Sequence, residues 1–142
     1  RLIAGFARRY AKELKRLDAL DFDDLLTQTV ELLEKNEEAR KWCHATWSHI
    51  HIDEYQDTNE VQYRIAKALA AHTKNLCVVG DTDQNIHSWR GAEIKNMLHF
   101  EKAYPEVQTI FLEQNYRSTK NILDAANHII KKNVERREKN LF

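Results

Sequence analysis

Glycine and proline are scarce in this 142-residue chain, which holds three of the first and one of the second. So few breaks favour long helices joined by short turns. The two cysteines, Cys43 and Cys77, stand apart with no Cys-x-x-Cys spacing. That excludes a disulfide framework of the secreted kind and points to a reduced, cytoplasmic setting. Net charge is also missing: 22 basic residues balance 22 acidic ones. A polybasic protein that holds nucleic acid through a global field is thereby excluded. No apolar run approaches the ~18 residues of a membrane span. Finally, Gly5, Gly80 and Gly91 are the only glycines and none precedes a lysine. The phosphate-cradling loop Gly-x-x-x-x-Gly-Lys-Ser/Thr is therefore absent from these residues. Arg1 is not an initiator methionine, and the chain reads as a fragment of a longer protein.

What is present is a helical frame with short strands. Leu2, Phe6, Tyr10, Leu14 and Leu17 recur at three- and four-residue steps, which predicts an amphipathic helix over 2–17. Asp21 is placed to N-cap a second helix over 22–35, with Phe22, Leu25, Leu26, Thr29, Leu32 and Leu33 on one face. Residues 37–47 predict a third helix. Residues 49–52, 76–79 and 109–112 are short, partly β-branched and bounded by polar turns, the pattern of strands. Helices expected over 59–71 and 93–103 separate them, and a last helix is expected over 118–132, capped by Ser118 or Thr119. Alternation of this kind implies an α/β fold with parallel strands and crossover helices.

Each expected strand ends in a polar cluster. Asp53-Glu54 follows the first, Asp81 to Gln84 the second, and Glu113 to Arg117 the third. In open α/β sheets ligands gather at the carboxyl ends of strands, so topology alone brings the three clusters to one edge. Two adjacent carboxylates there suit nucleotide hydrolysis: one to hold Mg²⁺, one to orient the attacking water. A solvated acidic turn has the same local sequence. Gln56 and Asp57 follow, and Asp57 or Thr58 is placed to cap the next helix. His49 and His51 share a strand face but have no third ligand in a metal-site spacing.

The segments IDEYQDTN (52–59), VVGDTDQNIHSWRGA (78–92) and LEQNYRST (112–119) resemble motifs II, III and IV of superfamily 1A DNA helicases, the UvrD, Rep and PcrA type. Leu20 to Leu25 resembles a further motif upstream. The resemblance spans essentially the whole chain and implies a partial RecA-like, P-loop NTPase domain with flanking helices from adjacent subdomains. Residues 1–19 would end an inserted helical subdomain. Residues 20–112 would form the C-terminal half of the first RecA-like domain, and 113–142 would begin the second. The cofactors implied are ATP and Mg²⁺; the partners are single-stranded DNA and DNA duplex junctions.

Residue by residue, the resemblance gives Asp53 the metal and Glu54 the attacking water. Gln84 would sense the γ-phosphate, its amide donating and accepting without a change of charge. Tyr116 would stack on adenine, and Arg117 would act as an arginine finger across the closing domains. His87, Trp89 and Arg90 would touch single-stranded DNA, an indole face being suited to stacking without sequence preference. A core aromatic is the alternative for Trp89, and an ion-pair partner is the alternative for Arg117. The chain departs from the family at His87, often Tyr, and at Asn85, often Ser.

The function implied is that of an ATP-dependent 3′–5′ DNA helicase or translocase in replication or repair. Lacking the phosphate loop, the 142 residues alone are expected to be inactive. Two other readings fit the same residues: the helicase module of a RecB- or AddA-type helicase–nuclease, and a non-catalytic single-strand-binding module.

Overall fold

The computed structural model describes residues 2–85, 91, 94–98, 100–132 and 142. Seven α-helices, two short 3₁₀ turns and two strands are present among them. Helix α1 (Leu2–Arg16) carries its apolar stripe as expected, but none of its residues is buried. Asp18 adopts φ 50°, and the amide of Ala19 bonds back to Leu14 O at 3.0 Å. A left-handed residue that lets the chain satisfy a late carbonyl is the usual way a helix stops.

Helix α2 (Phe22–Lys35) begins at the expected cap. Asp21 Oδ1 accepts from Asp24 N at 2.8 Å, and Asp24 Oδ2 accepts from Asp21 N at 3.3 Å, a reciprocal capping box. Tyr10 adds its hydroxyl, donating to Asp21 Oδ2 at 3.0 Å. The predicted apolar face of α2 is divided. Val30 and Leu33 are buried and Leu26 is half-buried, whereas Phe22, Leu25 and Leu32 stay exposed. At 3.6 residues per turn these are two neighbouring stripes, and only the first meets a partner among the described residues.

Asn36 closes α2 and opens α3 (Glu37–Thr46). Its amide bonds to Leu32 O at 2.9 Å, and its side-chain oxygen accepts from Ala39 N at 3.0 Å. Arg40 reaches back to donate to Leu33 O and Glu34 O, at 2.7 and 2.9 Å. The last carbonyls of α2, which have no helical partner, are satisfied in this way.

Strand β1 (Ile50–Ile52), helix α4 (Glu60–Ala70) and strand β2 (Leu76–Val78) form a β-α-β unit. Ile50 N donates to Asn75 O at 2.9 Å and Val79 N to Ile52 O at 2.8 Å. Both partners advance together along the chain, so the strands are parallel and α4 is their crossover. Ile50, Ile52, Leu76 and Val78 are half-buried while His51 and Cys77 are exposed, the period-two alternation of a one-sided sheet. Lys74, at φ 56°, ends the turn after α4.

The third expected strand is corrected. Residues 109–112 form no strand, and Ile110, Phe111 and Leu112 are exposed. A strand is held by ladder bonds to a neighbour, and no described segment pairs with this one. The helix expected over 93–103 is two shorter ones, α5 (Ile94–Leu98) and α6 (Phe100–Ala103). Helix α6 stops where Pro105 begins to restrict Tyr104. Helix α7 (Lys120–Ile130) starts after Thr119, whose side chain makes no capping bond.

Two compact units divide the chain. The first comprises 1–50 and 61–77, the second 51–60 and 78–142. The first is cored by Val30, Leu33, Ala66 and Ala70. Its α2 and α4 are tied by Arg64, which grips Glu34 with two bonds of 2.8 and 2.5 Å. His44 donates from Nε2 to Ala68 O at 2.9 Å and stacks on His72. The second unit buries Tyr55, Phe100 and Leu123 together with three polar residues, Gln56, Thr58 and Thr82. Tyr55 meets Phe100 edge-on, ring centroids 5.6 Å apart.

Candidate active site

The end of β1 turns sharply. Glu54 sits at φ 50°, ψ 42°, in the left-handed region. For a residue with a β-carbon this conformation costs on the order of 1–3 kcal/mol and persists only where the surroundings hold it. The hold is visible: Asp53 Oδ1 accepts from Glu54 N at 2.9 Å, Asp57 N donates to Glu54 O at 2.9 Å, and Tyr55 N donates to Val79 O at 2.9 Å. Residues Tyr55–Asp57 then form one 3₁₀ turn before α4. Its presence corrects the cap expected at Asp57 or Thr58. Asp57 lies inside the turn, the Thr58 hydroxyl donates to Tyr55 O at 2.7 Å, and α4 begins only at Glu60.

The turn drives Gln56 inward, where it is 1% exposed. A buried amide is costly unless both its ends are bonded, and here both are. Gln56 Nε2 donates to Glu54 Oε2 at 2.7 Å, and Gln56 Oε1 accepts from Asp81 N at 3.0 Å. The partners fix the orientation, since a carboxylate can only accept and a backbone N–H can only donate.

Asp81 carries the network onward. Its Oδ1 accepts from Asp83 N at 2.9 Å and caps the short turn Thr82–Gln84. Its Oδ2 accepts from Gln84 Nε2 at 2.9 Å. Glu54 and Gln84, the expected water-orienting and phosphate-sensing groups, are thus the two exposed ends of one hydrogen-bonded chain through Gln56 and Asp81. Gly80 permits the close approach at its centre. A β-carbon there would lie 2.6 Å from Gln56 Oε1 and within 3.3 Å of the backbone nitrogens of Tyr55 and Gln56.

Asp53 is exposed at the strand end, and its one hydrogen bond among the described residues is on Oδ1. A hard carboxylate oxygen facing solvent suits Mg²⁺. Among the described residues no cluster of three or more His, Cys, Asp or Glu side chains could hold a metal ion. A Mg²⁺ at Asp53 would therefore draw most of its oxygens from water and phosphate, which is this ion's habit at phosphoryl-transfer sites.

Tyr116 and Arg117 lie on an exposed turn. Asn115 Oδ1 accepts from Arg117 N and Ser118 N at 2.9 and 2.8 Å, and Tyr116 donates to Gln114 Oε1 at 3.0 Å. The Tyr116 ring is 88% exposed. The Arg117 side chain makes no ion pair with any described residue. Neither side chain is hydrogen-bonded to the Glu54–Gln84 chain. The expected strand contacts His87, Trp89 and Arg90 lie outside the described residues. Sequence reasoning gave Gln56 only a general linking role and assigned Gly80 none. The proximity of Gly80 to a buried polar side chain left no local signal beyond the glycine itself.

The class defined by this geometry is an α/β protein with a polar site at the ends of two parallel strands. No described helix is long and apolar enough to cross a membrane. Residues 1–105 match the model of the UvrD/REP helicase N-terminal domain, and the chain belongs to that family. It is 55% identical over 141 residues to the ATP-dependent DNA helicase PcrA of Staphylococcus epidermidis, and equally so to that of Staphylococcus aureus. In each case the match takes in 99% of this chain and 19% of the relative. The chain therefore spans about a fifth of the length of these relatives.

Proposed function

We propose that the protein containing this chain is an ATP-dependent DNA helicase, working in the cytoplasm and moving 3′ to 5′ along single-stranded DNA. Family membership and the PcrA relatives support the activity; the bonded chain from Glu54 to Gln84 is the structural observation that carries it. On this reading residues 20–112 belong to a first RecA-like domain and 113–142 open a second, after the end of a helical subdomain at 1–19.

Asp53 would hold Mg²⁺, which when bound neutralises charge on the phosphates of ATP. Glu54 orients the attacking water and takes up its proton. Gln56 and the bonds around the left-handed turn keep the Glu54 carboxylate in one place, which is the positional control such a step requires. Gln84, held through its amide nitrogen by Asp81, presents its amide oxygen to the water or its nitrogen to the γ-phosphate. Arg117, with no ion pair among the described residues, is available as the finger, and the exposed Tyr116 ring is available to adenine. His87, Trp89 and Arg90 would grip the single strand, and motion would be read out at duplex junctions.

Strand displacement by the intact protein with ATP and Mg²⁺ tests this reading. A duplex bearing a 3′ single-stranded tail is expected to unwind, and one bearing only a 5′ tail is not. Equal unwinding of both, or of neither, would overturn it.

A further inference from the structure

Arg40 is a half-buried guanidinium with no carboxylate partner among the described residues. Its Nη1 is spent on Leu33 O and Glu34 O, at 2.7 and 2.9 Å. Those bonds fix the group and leave its other edge, Nε with Nη2, without a hydrogen bond among the described residues. The same edge of Arg64 grips the Glu34 carboxylate. It is a planar fork that matches a carboxylate or a phosphate. Both nearby acids are already engaged, Glu34 by Arg64 and Glu37 by Lys41 at 2.7 Å. Arg40 lines an open cleft of about 490 Å³ with Glu37, Lys41, His44, Ala45 and His72, all within the first unit. His44 is anchored by its bond from Nε2 to Ala68 O. The exposed His72 ring stacks on it, centroids 5.6 Å apart and planes 14° from parallel.

We infer that this cleft is a phosphate-binding site, in which Arg40 supplies the fork and His72, set in place by its stack on His44, supplies a further donor. The site shares no residue with the candidate active site and does not rest on the helicase reading. Its charge decides the sign of the ligand. Glu37 and Lys41 cancel, and the guanidinium, which does not lose its proton in proteins, is left over. Two histidines in one cleft could instead hold a metal ion. A fixed cation beside them opposes that, and the described residues gather no cluster of three or more metal ligands. The number of acceptors decides between anions. The two oxygens of a carboxylate are used up by the fork, whereas a phosphate keeps further oxygens for His72 and Lys41. The bonds from Arg40 to two carbonyls also remove side-chain freedom that binding would otherwise cost. The phosphate is either free or part of a nucleic-acid backbone, and the open cleft admits both.

The test uses the intact protein and measures how fast diethyl pyrocarbonate modifies His44 and His72, read by peptide mass spectrometry. Rates are compared in inorganic phosphate, in chloride at equal ionic strength, and with oligo-dT in chloride. A bound phosphate should slow both sites, while His49, exposed and outside the cleft, reacts unchanged. In Arg40→Gln the concentration needed for protection should rise about tenfold or more, the factor in affinity that a hydrogen bond to a charged group is worth. If Arg40→Gln does not fold, His72→Gln changes only an exposed ring and should weaken the protection of His44. Protection by oligo-dT at a far lower concentration than inorganic phosphate identifies a nucleic-acid backbone as the source. Protection by inorganic phosphate alone identifies a free phosphate. Protection by neither overturns the site. Protection that survives unchanged in the variants also overturns it, because Arg40 and His72 then hold nothing. Histidines that fail to react even in chloride overturn it as well, because the cleft is then closed.

Discussion

The side-chain oxygen of Gln56 occupies the space that a β-carbon on Gly80 would need, the two lying 2.6 Å apart if both were present. Gly80 does not have a positive φ, so the constraint is steric. Two of the three nearest atoms are backbone nitrogens, which cannot swing away as a flexible side chain could. Gly80→Ala in the intact protein is therefore expected to destabilise by roughly 1–3 kcal/mol, the usual cost of overpacking. It should also displace the Gln56 amide and reduce turnover. Denaturant unfolding and steady-state ATPase measure the two effects, and an unchanged midpoint would show that the turn has room to yield.

Gln56 itself separates geometry from charge. Gln56→Leu leaves the half-buried N–H of Asp81 without its Gln56 acceptor and frees the Glu54 carboxylate. Gln56→Glu keeps the shape but sets a second carboxylate against Glu54. Hydrogen bonds to charged groups are worth about 1.5–3 kcal/mol, so turnover should fall roughly tenfold to a hundredfold in both. Steady-state ATPase of the two variants in the intact protein tests this; wild-type turnover in both would remove Gln56 from any influence on the Glu54 carboxylate.

The sequence showed the helices well and the sheet poorly, for separable reasons. Asp21 with Asp24, and Asn36 between two helices, are local capping chemistry, and local chemistry is legible residue by residue. β1 and β2 were legible because α4 places them side by side. Residues 109–112 are likewise short and partly β-branched, but a strand is defined by its neighbour, which composition does not name. At the candidate site, motif resemblance named Asp53, Glu54 and Gln84 as expectations. The path between them could not be named, because Gln56, Gly80 and Asp81 touch across some 25 positions of sequence. The exposed stripe of Phe22, Leu25 and Leu32 was merged with a buried one for a simpler reason: periodicity marks an apolar face without saying what covers it.

Acid should loosen the first unit through Glu34. The Arg64 hydrogen bond, with smaller help from the charges of Arg64 and Lys35, holds the Glu34 carboxyl below its ordinary value of 4.5. Its folded value is thus the lower of the two. The stabilisation is fully present above 4.5 and is lost as pH falls through the depressed folded value. Glu34→Gln should lower the melting temperature slightly at neutral pH, slightly because the pair is half exposed. Variant and wild type should converge once the pH is well below that window. A gap that persists in acid would mean that Glu34 acts through packing alone.

Arg117 offers a test of the finger. Such groups are worth on the order of 10³–10⁵ in turnover. Arg117→Ala in the intact protein should collapse kcat while the melting temperature holds, consistent with the absence of an ion pair among the described residues. Arg117→Lys should rescue little, since a point charge does not reproduce the planar fork. Tyr116→Ala should mainly raise KM for ATP. A near-normal kcat in Arg117→Ala with a lowered melting temperature would make the residue structural.

The central claim is that Glu54, fixed in its left-handed turn by Gln56, drives ATP hydrolysis that DNA stimulates. ATP turnover by the intact protein, with and without single-stranded DNA, compared between wild type and Glu54→Gln, tests it most directly. The account predicts turnover that rises with DNA in the wild type and falls by about 10³ or more in Glu54→Gln, while ATP and DNA still bind. The 142-residue chain alone, lacking the phosphate loop, should give no turnover above a buffer blank. Glu54→Gln protein that hydrolyses ATP at the wild-type rate would contradict the account.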